Sequence, residues 1–457
     1  MSRVRHSVMT CSGRGIPPGG VAPPSHIPDV LGHRAVPIGA PNRNMSSRNV
    51  GLGTLDMPVS VLRTSSARYV LPGLCVAVWL CGGIVNAQEP TAPQSIQASD
   101  LQAAIDQLGN LDYETRTSAS RTVRRTVGAQ AVPALLQAVA SHVDGYVRYR
   151  ALVLLTGFND PRTKDAMRES LASPNDRLRS VAYSFFEYNT DREVLPTLMA
   201  KLETEFAEFV RPSLTRALAA YGDDPSVQSA LIREAVRGED FFRSGVIEAL
   251  GDYKAAYAFD TITEIVQLDG PLQDDAAFAL GKIGDPRALE ALASLQRTTP
   301  RERQPAIAAS ICLLGVNCGS HERYNVEMLK FADVNPGYQE LLRASAGALG
   351  VLGVAGHATA VITLFDVGIP SQDPTRAPVA LALATAALRN TPLMLGVLEK
   401  RAERRPALSL VAEGFDMLEE DLSKERFFSL VRRSYWQAEE GAPTRDLMQA
   451  LIGILDF

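Results

Sequence analysis

Residues and motifs that support catalysis are scarce in this sequence. Its 457 residues include six His, five Cys and two Trp, and only His142, His321 and His357 lie beyond residue 87. No Gly-rich phosphate loop, Ser nucleophile elbow or Cys-x-x-Cys pair is present. These absences exclude the common nucleotide-binding, serine-hydrolase and dithiol motifs. We therefore expect no catalytic residue, no metal ligand and no cofactor.

Basic residues are few outside the N-terminal segment. Residues 1–87 contain eight Arg, no Lys and the two acids Asp29 and Asp56, and so carry a formal charge of +6. The remaining chain has 38 basic and 49 acidic residues, a balance of −11. Nucleic-acid binding needs a basic face that displaces counterions. No nucleic acid partner is therefore expected.

A hydrophobic run long enough to span a membrane is missing as well. The apolar stretch Val70–Val85 has 16 residues interrupted by Pro and Gly, whereas a spanning helix needs about 20. Arg63 and Arg68 precede it and Val85-Asn86-Ala87 ends it, which is typical of a secretory signal. The sequence predicts a signal peptide over 57–87, cleaved near Ala87, and no membrane span in the mature chain.

The segment before this signal has no pattern of a folded domain. Residues 1–56 hold eight Gly and seven Pro without apolar periodicity. A signal peptide begins within about 30 residues of the start, which favours Met57 as the initiator. Residues 1–56 are interpreted as a disordered leader that is not translated from that start. Residues 88–98 are expected to form a linker.

What the sequence does contain is a pattern that returns about every 31 residues. An Arg follows an acidic residue by three or four positions, and an apolar anchor lies seven residues beyond the Arg. The pairs are Asp112/Arg116, Asp144/Arg148, Asp176/Arg179, Glu208/Arg211 and Asp240/Arg243. The anchors are Val123, Leu155, Phe186, Leu218, Leu250, Leu280 and Ile311, with Gln273 and Gln304 at the last two Arg positions. A fixed period of about 20–50 residues is typical of a solenoid.

One unit has the pattern of two helices joined by a short turn. Val147, Ala151 and Leu155 lie at helical spacing after Asp144, and Asn159-Asp160-Pro161 then interrupts the helix. A second apolar-periodic stretch follows. Helix, turn, helix, turn is the unit of an αα-solenoid. The sequence therefore predicts an all-α fold, an αα-superhelical solenoid.

Two stretches resemble the HEAT-like repeat family, in the short form known from phycobiliprotein lyases. They are Asp144…Val147-Arg148…Ala151-Leu152 and Gly284-Asp285-Pro286…Ala288-Leu289. The resemblance implies regular HEAT-like helix pairs, which we place at residues 99–320, followed by divergent helical repeats and a C-terminal cap at 321–457. Family members are mostly protein-interaction scaffolds, so the resemblance also implies a protein or peptide partner.

The repeated arginines are the candidate site residues. Each acidic–Arg pair brings two side chains together on one helix face, and stacked units would align Arg148, Arg179, Arg211 and Arg243 in a ladder. Planar guanidinium groups in that position can bond oxygens of the adjacent unit and fix the stacking register. The same row could instead capture an extended acidic partner. Both interpretations remain open at this point.

The cysteines and a His-Glu pair leave further alternatives. Cys312 and Cys318 could close a small disulfide-bonded loop in an oxidising compartment or remain two thiols. His321-Glu322 is a single pair, expected in a turn after Gly319, and supplies too few ligands for a di-iron site.

These observations lead to a functional hypothesis. We expect an exported, non-catalytic scaffold, in the bacterial periplasm or outside the cell, that binds a protein or peptide through its concave face. The alternative is an enzyme or lyase-like accessory subunit that uses the groove as a substrate cradle. A cluster of ionisable residues with shifted pKa values at one point of the concave face would favour that alternative.

The expected export has a direct test. N-terminal sequencing of the exported product should begin near Gln88, because signal peptidase cleaves after small residues at the −3 and −1 positions. A cytosolic product that retains its leader would contradict the expected localisation.

Overall fold

A computed structural model describes residues 92–457, and it is all-α over this range. Residues 1–91, which include the expected leader and signal peptide, lie outside the described part. The helices are α1 (Ala98–Asp106), α2 (Tyr113–Arg124), α3 (Gly128–Ser141), α4 (Gly145–Leu155), α5 (Arg162–Ser170), α6 (Asp176–Tyr188), α7 (Leu195–Leu202), α8 (Arg211–Ala219), α9 (Pro225–Val236), α10 (Asp240–Asp252), α11 (Phe259–Val266), α12 (Gln273–Ile283), α13 (Ala288–Thr298), α14 (Gln304–Leu313), α15 (Cys318–Val334), α16 (Gln339–Val354), α17 (Ala358–Gly368), α18 (Arg376–Arg389), α19 (Thr391–Lys400), α20 (Arg404–Met417), α21 (Asp421–Gln437) and α22 (Pro443–Leu455). The described range has no strand, only an isolated bridge between Gln94 and Thr126.

The helices form two parallel rows. The inner row consists of the even-numbered helices α2 to α20, and from α6 onward each packs broadly on the next. The outer row consists of the odd-numbered helices α1 to α19, and beyond α3 these are more widely separated from one another. Closer packing on one side of a stack curves it toward that side, so the inner row forms the concave face. This arrangement confirms the predicted αα-superhelical solenoid.

The predicted anchors lie together in the core of this stack. Val123, Leu155, Phe186, Leu218, Leu250 and Leu280 are fully buried, and Ile311 is 2% exposed. All seven belong to one continuous hydrophobic cluster. Each anchor sits on an inner helix and contacts the neighbouring units, so a unit buries its apolar face only by stacking. The periodicity therefore identified the core correctly.

Two of the five acidic residues in the repeated pairs accept hydrogen bonds from backbone amides and form no ion pair with the Arg of their pair. Asp112 accepts a hydrogen bond from the Thr115 amide at 2.8 Å, and Asp144 accepts one from the Tyr146 amide at 2.7 Å. These residues are N-caps of their inner helices. Within residues 92–457, only Asp240–Arg243 among the five pairs forms an ion pair, at 2.9 Å. Asp112 and Asp144 therefore mark where α2 and α4 begin, because capping satisfies otherwise unpaired amides.

The C-terminal helices change the course of the solenoid. Helices α20 and α22 continue the inner and outer rows, but α21 leaves them and packs on α4, α6 and the short 3₁₀ helix Thr156–Phe158. Arg124 of α2 pairs with Glu425 of α21 at 2.7 Å, and Tyr149 of α4 hydrogen-bonds Asp421. The end of the superhelix thus docks on its first units and does not simply cover the last one.

No single helix among the described residues has both the length and the hydropathy of a membrane span, whereas α18 and α19, bent by 117° at the break between them, satisfy both criteria only as a pair.

Two glycines allow inner helices to approach each other closely. A Cβ atom on Gly251 of α10 would lie 2.7 Å from the Ala279 Cα of α12, and one on Gly281 of α12 would lie 2.7 Å from the Ser310 Cα of α14. Real Cβ atoms do not approach backbone atoms this closely. The absence of a side chain therefore sets the spacing of α10, α12 and α14 on the concave face.

Replacing one of these glycines should destabilise the protein. Gly281→Ala should lower the free energy of unfolding by about 1–3 kcal/mol because the added methyl forces the α12 and α14 backbones apart. Gly396→Ala is the matched control, because a Cβ there meets no atom within 4 Å in α19, and Ala is the better helix former by about 0.5–1 kcal/mol. Urea unfolding of both variants measures the difference. Equal stability of the two would contradict the close-packing argument.

Candidate functional site

The four arginines singled out from the sequence lie where one unit meets the next. Arg148 Nε donates to the Val139 carbonyl at 2.8 Å, and Arg243 Nε donates to the Ala235 carbonyl at 3.1 Å. Arg179 donates to the Ser173 carbonyl and pairs with Glu205, and Arg211 donates to the Leu202 and Glu205 carbonyls and pairs with Glu234 at 2.7 Å. Each acceptor carbonyl belongs to the C-terminal end of the preceding outer helix or the turn after it.

The same interaction recurs along the solenoid. Unpaired carbonyls and negative dipole charge collect at a helix C-terminus, which a guanidinium or amide donor satisfies. The further donors in this position are Arg116, Gln273, Gln304, Arg376 and Arg404. Gln273 and Gln304 replace Arg because the contact needs an N–H donor more than a charge. Whether the arginines also bind a ligand stays a prediction.

A separate cluster of charged residues lines a cavity of about 280 Å³ on the concave face. Its walls come from the inner helices α6, α8, α10, α12, α16 and α18 and from Glu420, which precedes α21. Arg216 of α8 lines this cavity and pairs with Glu187 of α6 at 2.9 Å and Asp252 of α10 at 2.6 Å. Lys282 of α12 pairs with the other Asp252 oxygen at 2.6 Å.

The far wall of the cavity is held by a second group of polar contacts. Arg389 of α18 pairs with Glu420 at 2.8 Å and donates to the Tyr188 hydroxyl of α6 at 2.7 Å. Tyr188 and Arg389 are 201 positions apart in the chain. Two residues so far apart in the sequence are in contact because the superhelix curls until α18 faces α6.

Neighbouring charges hold the cavity groups in their ordinary ionisation states. Burial alone would lower the pKa of Arg216, but Glu187 and Asp252 raise it well above its usual value. Burial would raise the pKa of Asp252, yet Lys282 and Arg216 hold it below its usual range. Burial raises the pKa of Tyr253, and the Glu187 carboxylate, 3.1 Å from its hydroxyl, adds to that rise. At neutral pH the site therefore presents fixed charges.

A second cavity of about 580 Å³ adjoins the first and makes the concave face acidic. The two share Glu187, Arg216, Glu248, Arg389 and Glu420. Together their linings contain three basic residues, Arg216, Lys282 and Arg389, and eight acidic ones. The acidic residues are Glu187, Glu208, Glu248, Asp252, Asp275, Glu419, Glu420 and Asp421. This excess of negative charge favours a positively charged group as ligand.

Side chains able to ligate a soft metal come together once in the described residues. Sulfur and nitrogen atoms of Cys312, Cys318 and His357 lie within 4.8 Å of one another. Cys312 and Cys318 are joined in a disulfide in this structure. Their sulfurs are bonded to each other and not available to a metal in this form. His321 lies within helix α15, not in the expected turn.

The sequence reasoning did not identify the cavity residues. A signal was present: Arg216 and Glu248 lie five positions after Arg211 and Arg243, and Asp252 and Lys282 lie nine positions after Arg243 and Gln273. Charges at equivalent positions of otherwise apolar helices mark the concave face. Arg389 and Glu420 carry no such periodic signal, since their units are out of register.

Comparison with known proteins supports the repeat assignment. The PBS lyase HEAT-like repeat family matches residues 272–298, which cover α12 and α13. This match confirms the resemblance drawn from the sequence, over one repeat. A search of curated proteins gives no match.

Several solved structures have similar folds at low sequence identity. The complex of CpcE and CpcF of phycocyanin lyase from Nostoc sp. PCC7120 is 18% identical over 57% of this chain and 97% of that chain, with a TM-score of 0.36. Importin beta is 15% identical over 78% of this chain and 55% of its own, with a TM-score of 0.36. Kap121p bound to Nup53p is 12% identical over 79% and 50%, with a TM-score of 0.39. The alignments thus span about half of the two longer chains, and similarities this distant carry no argument about function.

The contacts of Arg211 predict a large effect on stability. Arg211→Ala should lower the free energy of unfolding by about 3 kcal/mol, because two buried carbonyls lose their donor and the buried Glu234 loses one cation. Arg192→Ala is the control, because Arg192 and Asp223 form a pair whose side chains are 60% and 69% exposed, and such pairs contribute about 1 kcal/mol or less. Thermal unfolding compares the two. A smaller loss for Arg211→Ala than for the control would contradict the structural role of the ladder.

Proposed function

We propose that this protein is an exported scaffold whose concave face binds a protein or peptide partner without catalysing a reaction on it. The predicted signal peptide motivates the assignment to the bacterial periplasm or the extracellular space. The HEAT-like solenoid supports a binding role, because its curvature gathers polar side chains from many units on one face.

The observation that carries the proposal is the acidic double cavity on the inner helices. Carboxylates outnumber basic groups around it, and Tyr188, Tyr253 and Phe278 supply aromatic surface. A Lys or Arg side chain from a partner would find both carboxylates and ring faces there. The partner is accordingly expected to present a basic segment to this face.

The ionisation states of the cavity support binding over catalysis. A general acid or base works best when its pKa lies near the operating pH. In this cavity the pKa of Asp252 is lowered by Lys282 and Arg216, and the pKa of Tyr253 is raised by burial. Each shift moves the pKa of the group further from neutral pH. The group then keeps one ionisation state, which suits a fixed electrostatic surface and not proton transfer.

A substrate cradle is the second candidate function. One observation favours it: ionisable residues with shifted pKa values are concentrated at one point of the concave face, around Arg216. An accessory subunit could use these charges to orient a substrate for another protein. The two functions differ in their ligand, which is a small molecule in one case and a peptide segment in the other.

Peptide binding with the full chain tests the proposal. Three fluorescent peptides of equal length, basic, neutral and acidic, are titrated by anisotropy against wild type and Glu248→Gln. Glu248 lines both cavities and has no ion pair within 4.0 Å among residues 92–457, so the substitution changes charge without breaking a pair. The basic peptide should bind most tightly, and Glu248→Gln should weaken it about fivefold, equivalent to about 1 kcal/mol.

A matched variant controls for net charge. Glu290→Gln removes the same charge from an exposed position on the outer helix α13 and should leave binding unchanged. Equal effects of the two variants, or equal affinity for the acidic peptide, would refute the cavity as the binding site. Affinity purification from the cell envelope with wild type and Glu248→Gln then identifies the natural partner as a protein lost in the variant.

A further inference from the structure

The Cys312–Cys318 disulfide lies at a junction in the solenoid. Cys312 is near the end of α14 and Cys318 is the first residue of α15, with Gly315 and Asn317 in left-handed conformations between them. Ile311 belongs to the hydrophobic cluster of the N-terminal units, and Cys312 belongs to that of the C-terminal units. The disulfide therefore lies at the boundary of the two clusters, where the repeat register changes, and both of its residues pack with the C-terminal cluster.

The two sulfur-bearing residues differ in accessibility. Cys312 is 3% exposed, whereas Cys318 is half-buried and flanked by the exposed residues Asn317 and Gly319. Cys318 also begins a helix of 17 residues, and a helix N-terminus stabilises a thiolate. An external sulfur nucleophile can therefore reach Cys318 but not Cys312, and Cys318 is the better thiolate when reduced.

A histidine and a carboxylate complete the group. His357 Nδ1 lies 3.9 Å from Cys318 Sγ and 3.3 Å from the Glu322 carboxylate. The Glu322 side chain is 15% exposed, and its only ion pair within residues 92–457 is with His357. The carboxylate contact holds the Nδ1 edge of the imidazole beside Cys318 Sγ. Cys318 Sγ and a Glu322 oxygen approach the same ring nitrogen, Nδ1, and an imidazole beside a thiol can accept its proton and so activate the sulfur as a nucleophile.

We propose that Cys318, Cys312, His357 and Glu322 form a thiol–disulfide exchange site whose substrate is a dithiol or disulfide in a partner. Starting from the disulfide form seen in this structure, one thiolate of a dithiol partner attacks Cys318 Sγ. The Cys312–Cys318 bond breaks, Cys312 leaves as a thiolate, and His357 lies within 4.8 Å to give it a proton.

The second step returns the partner as a disulfide. The partner's other thiolate attacks the partner sulfur of the mixed disulfide, and Cys318 leaves as a thiolate that is reprotonated from solvent through His357. Two electrons and two protons have then passed from the partner dithiol to Cys312 and Cys318. The reverse sequence reduces a partner disulfide, and the direction depends on which couple is more oxidising.

Redox titration of the full chain tests whether the disulfide exchanges in the folded protein. Cys11, Cys75 and Cys81 are first replaced by Ser in every variant, so that only the two relevant thiols react with a maleimide. The wild-type pair should titrate reversibly in a glutathione redox buffer while far-UV circular dichroism stays constant. A bond that resists reduction until the protein unfolds would assign it a purely structural role and overturn the proposal.

Single-cysteine variants test the roles of the two sulfurs. Cys312→Ser should trap a stable mixed disulfide between Cys318 and glutathione, because no resolving thiol remains. Cys318→Ser should trap little, because Cys312 is buried. Equal trapping by the two variants would contradict the assignment of Cys318 as the reacting sulfur.

His357 is tested through the reactivity of Cys318. In the Cys312→Ser background, His357→Gln should slow alkylation by iodoacetamide about tenfold at neutral pH, equivalent to about one pH unit of thiolate formation. The difference should vanish at high pH, where the thiol ionises without help. If His357 had only a structural role, His357→Gln would not change how the alkylation rate of Cys318 depends on pH. His321→Gln is the control: His321 lies on the same helix as Cys318 but forms no hydrogen bond or ion pair with Cys318, His357 or Glu322 within residues 92–457, so this variant should react like the parent.

Discussion

The structure depends on the contact between consecutive inner helices. Gly251 and Gly281 remove the side chains that would hold α10, α12 and α14 apart, and the buried anchors fill the space behind them. Because the outer helices are more widely separated, the stack bends toward the inner row. That bend brings α6 and α18 face to face and creates the cavity around Arg216. The binding proposal therefore rests on backbone spacing as much as on the charged residues themselves.

The Arg and Gln donors have a complementary role. Each one fixes the end of an outer helix to the start of the next inner helix, so the rotation from one unit to the next is constrained by hydrogen bonds as well as by packing. Ladder and cavity arginines are distinct groups. Arg211 bonds carbonyls within the turn between units, whereas Arg216, on the same helix, faces the concave side and bonds carboxylates of α6 and α10.

The fold could be predicted from the sequence because its determinants repeat locally. An anchor seven residues beyond an Arg identifies the buried face of each inner helix, and every anchor lies within one unit of its neighbours. The cavity was missed because Arg389 and Glu420 reach it only through closure of the superhelix. Arg124 and Glu425 are 301 positions apart, and nothing in either segment indicates the other. Asp144 and Arg148 were expected to pair but do not. The Asp144 carboxylate instead accepts a hydrogen bond from the Tyr146 amide at the N-terminus of its helix.

The docking of α21 on α4 and α6 changes how this repeat protein should lose its structure. An open array of repeats has two free ends, and its terminal units can fray one after another while the middle survives. Here the last helices hold the first ones, so neither end can detach without breaking the contacts of the other. Melting is then a single concerted event, and the chain must find partners some 300 positions apart before it gains that stability, which predisposes it to slow folding.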